Sequence, residues 1–572
     1  MVLGAAGAAV LSRFGASVAF AQDATPVEPA ETYEPLVSIN REEWAKAFNE
    51  RFPMEMAPAP GGTVLWGETS DISTTNMILA ADQPTSPFLG LIFEGLVGSS
   101  PTDGQPIPGI ADSWERAADG QTYTFHLNPN AAWHDGEPLT ADDVIFSLEA
   151  QLNPETGSQY TSSVEAAVAS YKKIDDHTVE IVSDGPRANF LFDLVLPVMP
   201  KHIWESVPAA EWAADPGSTG QDPARVIGSG PFKFVEWEQG DHATVERNDA
   251  YWDTLTGHVP NLDRFTLQVF PDETTLIQAL KTGQIDATTS VPPAEVEGLK
   301  AEDTLQVAVY PTFDFGFYYM NLDPDKTKLF QDHQVREALL RALDRQAIND
   351  NIFLGLGEVA VGTQSLLSTA YAPDKIENPY TFDVEAAKKL MDEAGWVDSN
   401  NDGVREKDGE PFTFQMTYTE GVATYEQLLP YLQQQWREIG VDMQPNPVPF
   451  PTLLDTLLES KDYGMALLGF SWSADPDQKA MFACDQYDGG FNTGKYCNPE
   501  YDKIAYAADK ELDAAKRLEM LTEASQMVWN DLPIGILRFG EDVSAATTRM
   551  KNFLPNDYAG GIWSMPWVWL SE

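Results

Sequence analysis

The hydrophobic positions of this chain follow two periods, one typical of strands and one typical of helices. Tyr123, Phe125 and Leu127 alternate with polar neighbours, which is the two-residue period of a half-buried strand. Similar apolar segments predict strands at residues 63–67, 179–181, 232–235, 243–245, 264–270, 305–310 and 464–468. The helical period predicts helices at residues 273–282, 332–343, 384–394, 425–439 and 514–531. Strands that alternate with helices along a chain predict an α/β architecture.

Residues 140–148 contain a helix start. Thr140 stands directly before a segment in which Asp142 and Asp143 precede an apolar run that begins at Val144. A hydroxyl at the cap accepts a hydrogen bond from a first-turn N–H, and carboxylates are stabilised at the positive end of a helix. We therefore expect a capped helix to begin after Thr140.

The length and composition predict a large folded protein with two lobes. The chain has 572 residues, 43% of them hydrophobic and 15 of them Trp. A single core rarely grows beyond about 250–300 residues, so two lobes are expected. No apolar run reaches the ~18 residues that a membrane helix needs, and no solenoid repeat is evident.

The formal net charge of −52 excludes some partners. Repulsion argues against binding to nucleic acid and to anionic lipid head groups. The acidic excess favours a cationic or amine-bearing solute, or it keeps the protein soluble in salty surroundings, where screening relieves self-repulsion. Because 88 acidic residues cannot all face one ligand, solubility accounts for most of the charge.

Residues 1–21 are typical of an export signal. They are short, apolar and rich in Ala and Gly, and Ala19, Phe20 and Ala21 form a small-x-small cleavage pattern. Arg13 is their only positive charge, so the true start could lie upstream, and a disordered tail is the alternative. Residues 22–60 are rich in Pro, Ala and Glu and predict a spacer with a short helix at 42–52. Without a cysteine near the cleavage pattern, a lipid anchor is not expected.

The only two cysteines are Cys484 and Cys497. The loop between them contains three glycines and could close as a disulfide in an exported chain, whereas two free thiols are the alternative. Two cysteines alone make a poor metal site.

A calcium loop is a further hypothesis. Asp398, Asn400 and Asp402, followed by Gly403, match the first half of a D-x-N-x-D-G loop. The bidentate acid of the twelfth position is absent, although Asp408 stands next to it. A structural Ca²⁺ ion is one interpretation, and an Asx-rich turn is the other; no other cofactor is expected.

Catalytic motifs are absent from the sequence. Residues 489–496, GGFNTGKY, resemble a P-loop but carry Tyr496 where Ser or Thr binds Mg²⁺. Neither a G-x-S-x-G elbow nor an H-E-x-x-H pair occurs. We therefore expect a protein that is not an enzyme, with a secreted enzyme or a sensor subunit as the alternative.

One segment has a highly specific order of residues. Residues 111–150 read ADSWERAADGQTYTFHLNPNAAWHDGEPLTADDVIFSLEA. Five further segments follow along the chain: IGSGPFKF (227–234), ERNDAYW (246–252), GQID (283–286), VREALLRALDR (335–345) and NPEYD (498–502). In this order they resemble the extracytoplasmic solute-binding proteins of ABC-type peptide and nickel importers, known as family 5. The chain departs from the family at Asn128 and Pro129, where a basic residue is usual.

The resemblance implies a two-lobed periplasmic-binding-protein-like fold with a ligand cleft between the lobes. Lobe one would comprise residues 61–310 and 536–572, with an extra subdomain at 100–225, and lobe two residues 311–535. A protein of this family captures a small solute outside the cytoplasm by hinge closure and delivers it to ABC permease subunits at the membrane. We expect a monomer.

The resemblance also implies the ligand-binding residues. The segment 469–476 follows the apolar strand 464–468, and strand ends next to a cleft are where α/β proteins bind ligands. Peptide-binding members carry a similar W-x-A-D here, which makes Asp475 the partner of a ligand ammonium group and Trp472 a pocket wall, with Ser471 and Ser473 beside them. The alternative for Asp475, ahead of Pro476, is a turn cap.

Three more candidates rest on shorter matches. Tyr160 aligns with a tyrosine that contacts peptide backbone in oligopeptide binders. Tyr319 and Asn321 lie on one face of a predicted strand, where the family often has a cleft-facing Asn; core packing is the alternative. Peptides are the expected ligands, and oligosaccharides or nickel complexes are the alternatives, since 15 Trp could also supply stacking surfaces for sugar rings.

Overall fold

The chain folds into two compact units in a computed structural model that describes residues 2–3, 36–38, 40–194, 196–253 and 259–572. The flanking unit comprises Ala6–Tyr310 and Val543–Glu572, and the middle unit comprises Pro311–Asp542 with Met1–Ala5. One predicted boundary, 310/311, coincides with the division between the units. The other falls after Asp542 rather than after residue 535, because the strand Ile534–Thr547 continues without a break.

The central sheet of the flanking unit is mixed. Thr63–Glu68 pairs in parallel with both Arg264–Val269 and Ala287–Thr288, and the remaining described pairs are antiparallel. Across this sheet the strands follow the order Phe232–Glu238, His242–Arg247, Arg264–Val269, Thr63–Glu68, Ala287–Thr288, the end of Ile534–Thr547 and the beginning of Leu305–Met320. Val64, Trp66, Phe265 and Leu267 point their apolar side chains into its core.

A second sheet of the flanking unit lies mainly within the predicted subdomain, residues 100–225. Its strands follow the order Leu36–Val37, Ala111–Arg116, Thr122–Leu127, Thr178–Ser183 and Val168–Asp175. The helix Ala141–Leu152 contributes Val144 and Leu148 to the core beneath the sheet. The predicted helix start is confirmed: the Thr140 hydroxyl accepts from Asp142 N, and Asp143 accepts from Thr140 N at 2.9 Å.

The described part of the predicted spacer is folded onto the flanking unit. The helix Arg41–Arg51 carries the buried Arg41, whose guanidinium lies 2.6 Å from both Asp112 and Asp253. Phe48 packs its ring 5.1 Å from that of Trp567. The described residues of this segment, 36–38 and 40–60, are therefore not a free tether, because a buried cation and an aromatic contact hold them. The predicted signal peptide lies outside the described residues except for Val2–Leu3, which pairs in parallel with Gly469 and Phe470.

The remaining elements of the flanking unit are short. Its other helices are Thr85–Leu89, Thr161–Ala167, Phe190–Asp193, Lys201–Trp204, Glu273–Lys281 and Val296–Lys300, with 3₁₀ turns at Pro154–Thr156, Ala209–Ala214, Pro223–Arg225 and Pro293–Glu295. Its other strands are Val97–Ser99, Pro106–Pro108, Met550–Lys551 and Trp569–Leu570.

The middle unit has a mixed sheet with helices. Its strands follow the order Ile534–Thr547, Leu305–Met320, Met465–Ser471, Thr413–Thr419 and Asp442–Val448, with Glu358–Val359 paired to the first. A small hairpin joins Glu406–Lys407 to Glu410–Pro411. The helices are His333–Arg341, Arg345–Ile352, Val384–Glu393, Ala423–Glu438, Phe450–Asp455, Lys479–Phe482, Gln486–Gly489, Pro499–Lys510 and Ala514–Asp531, with a π turn at Thr456–Ser460 and a 3₁₀ turn at Pro373–Lys375.

The helices expected from hydrophobic period agree with the structure to within about two residues at each end. The strand predicted at 305–310 is longer than expected and runs to Met320. Its continuation has buried residues on both faces, so the alternation that marks a half-buried strand is lost there. Among the described residues, no helix is both long and apolar enough to cross a membrane.

Candidate functional site

The candidate site of the middle unit is built around the end of the strand Met465–Ser471. Ser471 lies opposite Asp314 on the neighbouring strand, and its hydroxyl donates to Trp472 O at 3.3 Å. Trp472 follows at once; its ring stacks on Phe315 at 4.9 Å, and its Nε1 donates to Thr363 O at 2.9 Å. Ser473 is exposed, and its hydroxyl donates to Asp475 O at 3.3 Å. The indole of Trp472 is thus held in one orientation beside a strand end.

Asp475 is buried in an ion pair that the sequence did not predict. Nη2 of Arg517 lies 2.8 Å and 3.0 Å from its two carboxylate oxygens, and both side chains are about nine-tenths buried. Burial raises the pKa of Asp475, and the Arg517 charge opposes that rise. Close by, Lys479 pairs with Asp477 and Asp509. The structure therefore supplies a cationic partner for Asp475 within the protein, and its role as the acceptor of a ligand ammonium stays a prediction.

Tyr319 and Asn321 face the interior of the middle unit. The Tyr319 hydroxyl donates to Phe491 O at 2.6 Å. The Asn321 amide donates to Lys461 O and Tyr463 O, and its oxygen accepts from Asp323 N. These bonds secure the loop that follows the strand, so core packing accounts for both residues and a ligand contact stays a prediction.

Tyr160 belongs to the flanking unit. It is half-buried against the core of the five-stranded sheet, directly before the helix Thr161–Ala167. Burial raises the pKa of its hydroxyl. Tyr160 thus belongs to a different unit from the other candidates, which all lie in the middle unit, and its contact with a ligand stays a prediction.

Sequence reasoning missed three charged residues near this strand end, one on the strand that pairs with Ser471 and two on the strand beyond it. Asp314 lies on Leu305–Met320, and Arg538 and Asp542 lie on Ile534–Thr547, the adjacent strand. Arg538 places its guanidinium 4.0 Å over the Phe353 ring and donates to Leu356 O. No local sequence pattern could have predicted that Asp314, Arg538 and Asp542 form a group. Charged residues on separate strands become neighbours only through the order of the strands in the sheet.

Burial and electrostatic repulsion raise the pKa values of the acidic groups in this cluster. Desolvation, followed by the charge of Asp314, raises the pKa of Asp542 to about 6. Burial also raises the pKa of Asp314, against the effects of Ser471 and Arg538. Desolvation lowers the pKa of Arg538 to about 10, so the guanidinium stays charged at neutral pH. The site therefore presents two carboxylates to one guanidinium, which suits a cationic group of a solute.

The predicted calcium loop is closed by its own backbone. Asp398 accepts from Gly403 N at 3.0 Å, Asn400 accepts from Asp402 N at 2.8 Å, and Asp402 accepts from Val404 N at 2.8 Å. Asp408 lies outside this loop, in the hairpin turn with Gly409, where both residues have positive φ. These bonds are those of Asx turns, and calcium binding stays a prediction.

If the loop binds Ca²⁺, calcium should raise the melting temperature, because binding to the folded state alone stabilises it. We expect EDTA to reverse the rise, and Asp398→Asn with Asp402→Asn to abolish it. A melting temperature that changes with neither calcium nor chelator would mean that the Asx turns alone account for the motif.

Elsewhere in the described ranges, Glu238, Asp241 and His242 have potential ligand atoms within 4.8 Å of one another. They lie at an exposed hairpin turn of the flanking unit, where His242 pairs with Asp241 at 2.7 Å. His242 also pairs with Glu236 at 3.4 Å, so a surface ion-pair network accounts for its position.

The disulfide between Cys484 and Cys497 is confirmed. The loop that it closes is further secured by Asn492, whose amide donates to Ala483 O and Tyr496 O. Thr493 hydrogen-bonds to Tyr463 at 2.9 Å. The disulfide therefore stabilises the segment that follows the Trp472 site.

Comparison with known proteins identifies the family to which this chain belongs. Residues 105–492 match the model of the bacterial extracellular solute-binding proteins, family 5. The chain belongs to this family, as the sequence motifs predicted, and the predicted two-lobed α/β fold class is confirmed. It is a solute-binding protein of a transport family.

Two curated relatives span most of the chain. It is 28% identical over 499 residues to the oligopeptide-binding protein AppA of Bacillus subtilis, covering 87% of this chain and 89% of that protein. It is 26% identical over 495 residues to the dipeptide-binding protein of Escherichia coli, covering 83% and 87%.

Solved structures show the same fold. AppA of Bacillus subtilis, in complex with a nonapeptide, matches with a TM-score of 0.71 at 26% identity, covering 90% of this chain and 100% of that one. The ABC transporter substrate-binding protein CtaP of Listeria monocytogenes matches with a TM-score of 0.75 at 25% identity, again covering 90% and 100%.

Proposed function

We propose that this protein captures peptides, or similar amine-bearing solutes, outside the cytoplasm and delivers them to the permease of an ABC importer. The observation that carries the proposal is the site at Ser471 and Trp472, where an oriented indole and a strand end adjoin an acidic cluster. An extended peptide offers backbone groups for such a strand end and an ammonium for the carboxylates. The relatives named as oligopeptide- and dipeptide-binding proteins support this ligand class.

The protein acts as a monomer and does no chemistry on its ligand in this proposal. Delivery to a permease requires only that the ligand-bound form differ from the free form, as in hinge closure around a solute. The family description, which specifies extracellular solute binding, supports an extracytoplasmic location.

Calorimetric titration tests the ligand class. Protein freed of co-purified solute by unfolding and refolding is titrated with peptides of two to nine residues, with oligosaccharides and with nickel–histidine complexes. We expect saturable binding of peptides alone, because only they combine an ammonium with a backbone that can pair with a strand end. Binding confined to sugars or to nickel complexes would contradict the proposal, and mass spectrometry of the recovered peptide shows whether it is returned intact.

A further inference from the structure

The flanking unit contains a cavity of about 320 Å³ that none of the candidate ligand residues lines. This volume is at the lower end of the range for small-molecule sites. Four separate segments of the chain meet around the cavity, and its lining residues are Ser73, Thr74, Leu79, Thr156, Gly157, Ala213, Ser218, Thr219, Trp237 and Gln239. A Cβ atom at Gly157 would meet nothing within 4 Å, so the space beside this residue is open. The cavity therefore has room for a compact solute.

Buried hydroxyl groups form part of the lining. Ser218, Thr156 and Thr74 are 2%, 3% and 7% exposed. Thr74 donates its proton to Ser218 O at 2.9 Å, and Thr156 donates to a backbone carbonyl at 2.7 Å. The Ser218 hydroxyl accepts from the Asn76 amide at 3.1 Å, and none of the described residues accepts the Ser218 proton. Because buried donors in proteins normally have a partner, Ser218 is suited to donate to an oxygen atom of a molecule in the cavity.

An indole held in one orientation forms another part of the wall. Nε1 of Trp237 donates to the two carboxylate oxygens of Asp71 at 3.0 Å and 3.1 Å. A Cβ atom at Gly220 would lie 3.0 Å from Trp237 Cε3, so the ring packs closely against the backbone there. Trp237 is half-buried. Its fixed ring therefore supplies apolar surface for the C–H groups of a ligand, next to the hydroxyl groups of the lining.

The lining favours a ligand without charge. None of the ten lining residues is charged. The nearby carboxylate of Asp71 is already engaged, since it accepts from Gly240 N at 2.7 Å as well as from Trp237. An ion that entered this cavity would lose hydration without gaining a counter-charge. A hydroxyl group, in contrast, exchanges its hydrogen bonds to water for equivalent bonds to the lining.

We propose that this cavity binds a compact neutral polyol, a solute with several hydroxyl groups on a small carbon frame. The polyol accepts a hydrogen bond from Ser218, donates to hydroxyl oxygens of the lining and places its C–H groups against Trp237. The inference goes beyond the proposed function and does not depend on it, because the cavity lies within the flanking unit and shares no residue with the site at Ser471 and Trp472.

Calorimetric titration of the full chain with myo-inositol tests the inference. Inositol monophosphate, which is anionic, and an amino-inositol, which is cationic, serve as charged comparisons of similar shape. We expect saturable binding of myo-inositol, and binding of both charged forms that is weaker by about 10-fold or more, because neither charge finds a partner in the lining.

Two variants locate the binding site. Ala213 is an exposed residue of the lining, so the ring introduced by Ala213→Trp obstructs the cavity and should abolish myo-inositol binding. Ser218→Ala removes one hydrogen-bond donor and should weaken binding about 5-fold. The control is Ala214→Trp, the same change at the next residue, which is exposed but does not line the cavity.

The outcomes separate this inference from the proposed function. A wild type that shows no saturable binding of myo-inositol overturns the inference, and so does binding that Ala213→Trp leaves unchanged. The same variants are titrated with a peptide, for which we expect wild-type affinity. A loss of peptide affinity in Ala213→Trp but not in Ala214→Trp would assign the cavity to the peptide and overturn the inference. A wild type that binds myo-inositol but no peptide would overturn the proposed function alone.

Discussion

Asp475→Asn and Arg517→Met are each expected to lower the free energy of unfolding by about 3–5 kcal/mol, the cost of leaving one member of a buried ion pair without its partner. Nη2 of Arg517 contacts both carboxylate oxygens of Asp475. The Asp475 side chain is 9% exposed and the Arg517 side chain is 11% exposed. Solvent therefore cannot replace the lost partner at little cost. Urea unfolding followed by tryptophan fluorescence measures the change.

A double-mutant cycle measures the interaction energy between Asp475 and Arg517 separately from the effect of each substitution on its other neighbours. Asp475→Asn combined with Arg517→Met should cost less than the sum of the single changes, because each single variant leaves one unpaired buried charge and the double variant leaves none. The exposed Asp462→Asn serves as the control. Unfolding curves of Asp475→Asn that coincide with the wild type, together with a loss of peptide binding, would instead support the ligand role that the sequence motif indicates for Asp475.

Removing the disulfide is expected to cost about 3 kcal/mol, because its loss frees a short loop in the unfolded chain. The bond joins Cys484 and Cys497 across a separation of 13 residues. Cys484→Ser with Cys497→Ser should shift the urea midpoint of the middle unit downward, and a reductant should shift the wild type by a similar amount.

The double variant, Cys484→Ser with Cys497→Ser, is the control for the reductant, since it has no disulfide to reduce. Any further shift on adding reductant would show an effect unrelated to the bond. A wild-type midpoint that is unchanged under full reduction would mean that Asn492 and Thr493 hold the loop by their hydrogen bonds without help from the disulfide.

The structure changes which residues are the best candidates for ligand recognition. The motif at 469–476 correctly located a strand end with an oriented Trp472. Within that motif, however, Asp475 is paired with Arg517 inside the protein, whereas Asp314 and Asp542 lie on two adjacent strands and have raised pKa values. The role of Asp475 as the acceptor of a ligand ammonium therefore stays a prediction.

The sequence by itself determined the local elements, because the signals for those elements are local. A helix repeats its contacts every three or four residues and a strand every two, so the period of the apolar side chains is sufficient to place both. For the same reason Thr140 and Asp143 identified a helix start, and the order of six motifs identified the family before any contact was known.

Only the tertiary structure decided how the charges are paired. Arg517 reaches Asp475 from a helix 42 residues further along, and Asp314 becomes a neighbour of Arg538 and Asp542 because two strands distant in sequence lie side by side in one sheet. Strand order and register are set by packing over the whole unit, and a carboxylate looks the same in sequence whether its partner is an arginine of the protein or the ammonium of a solute.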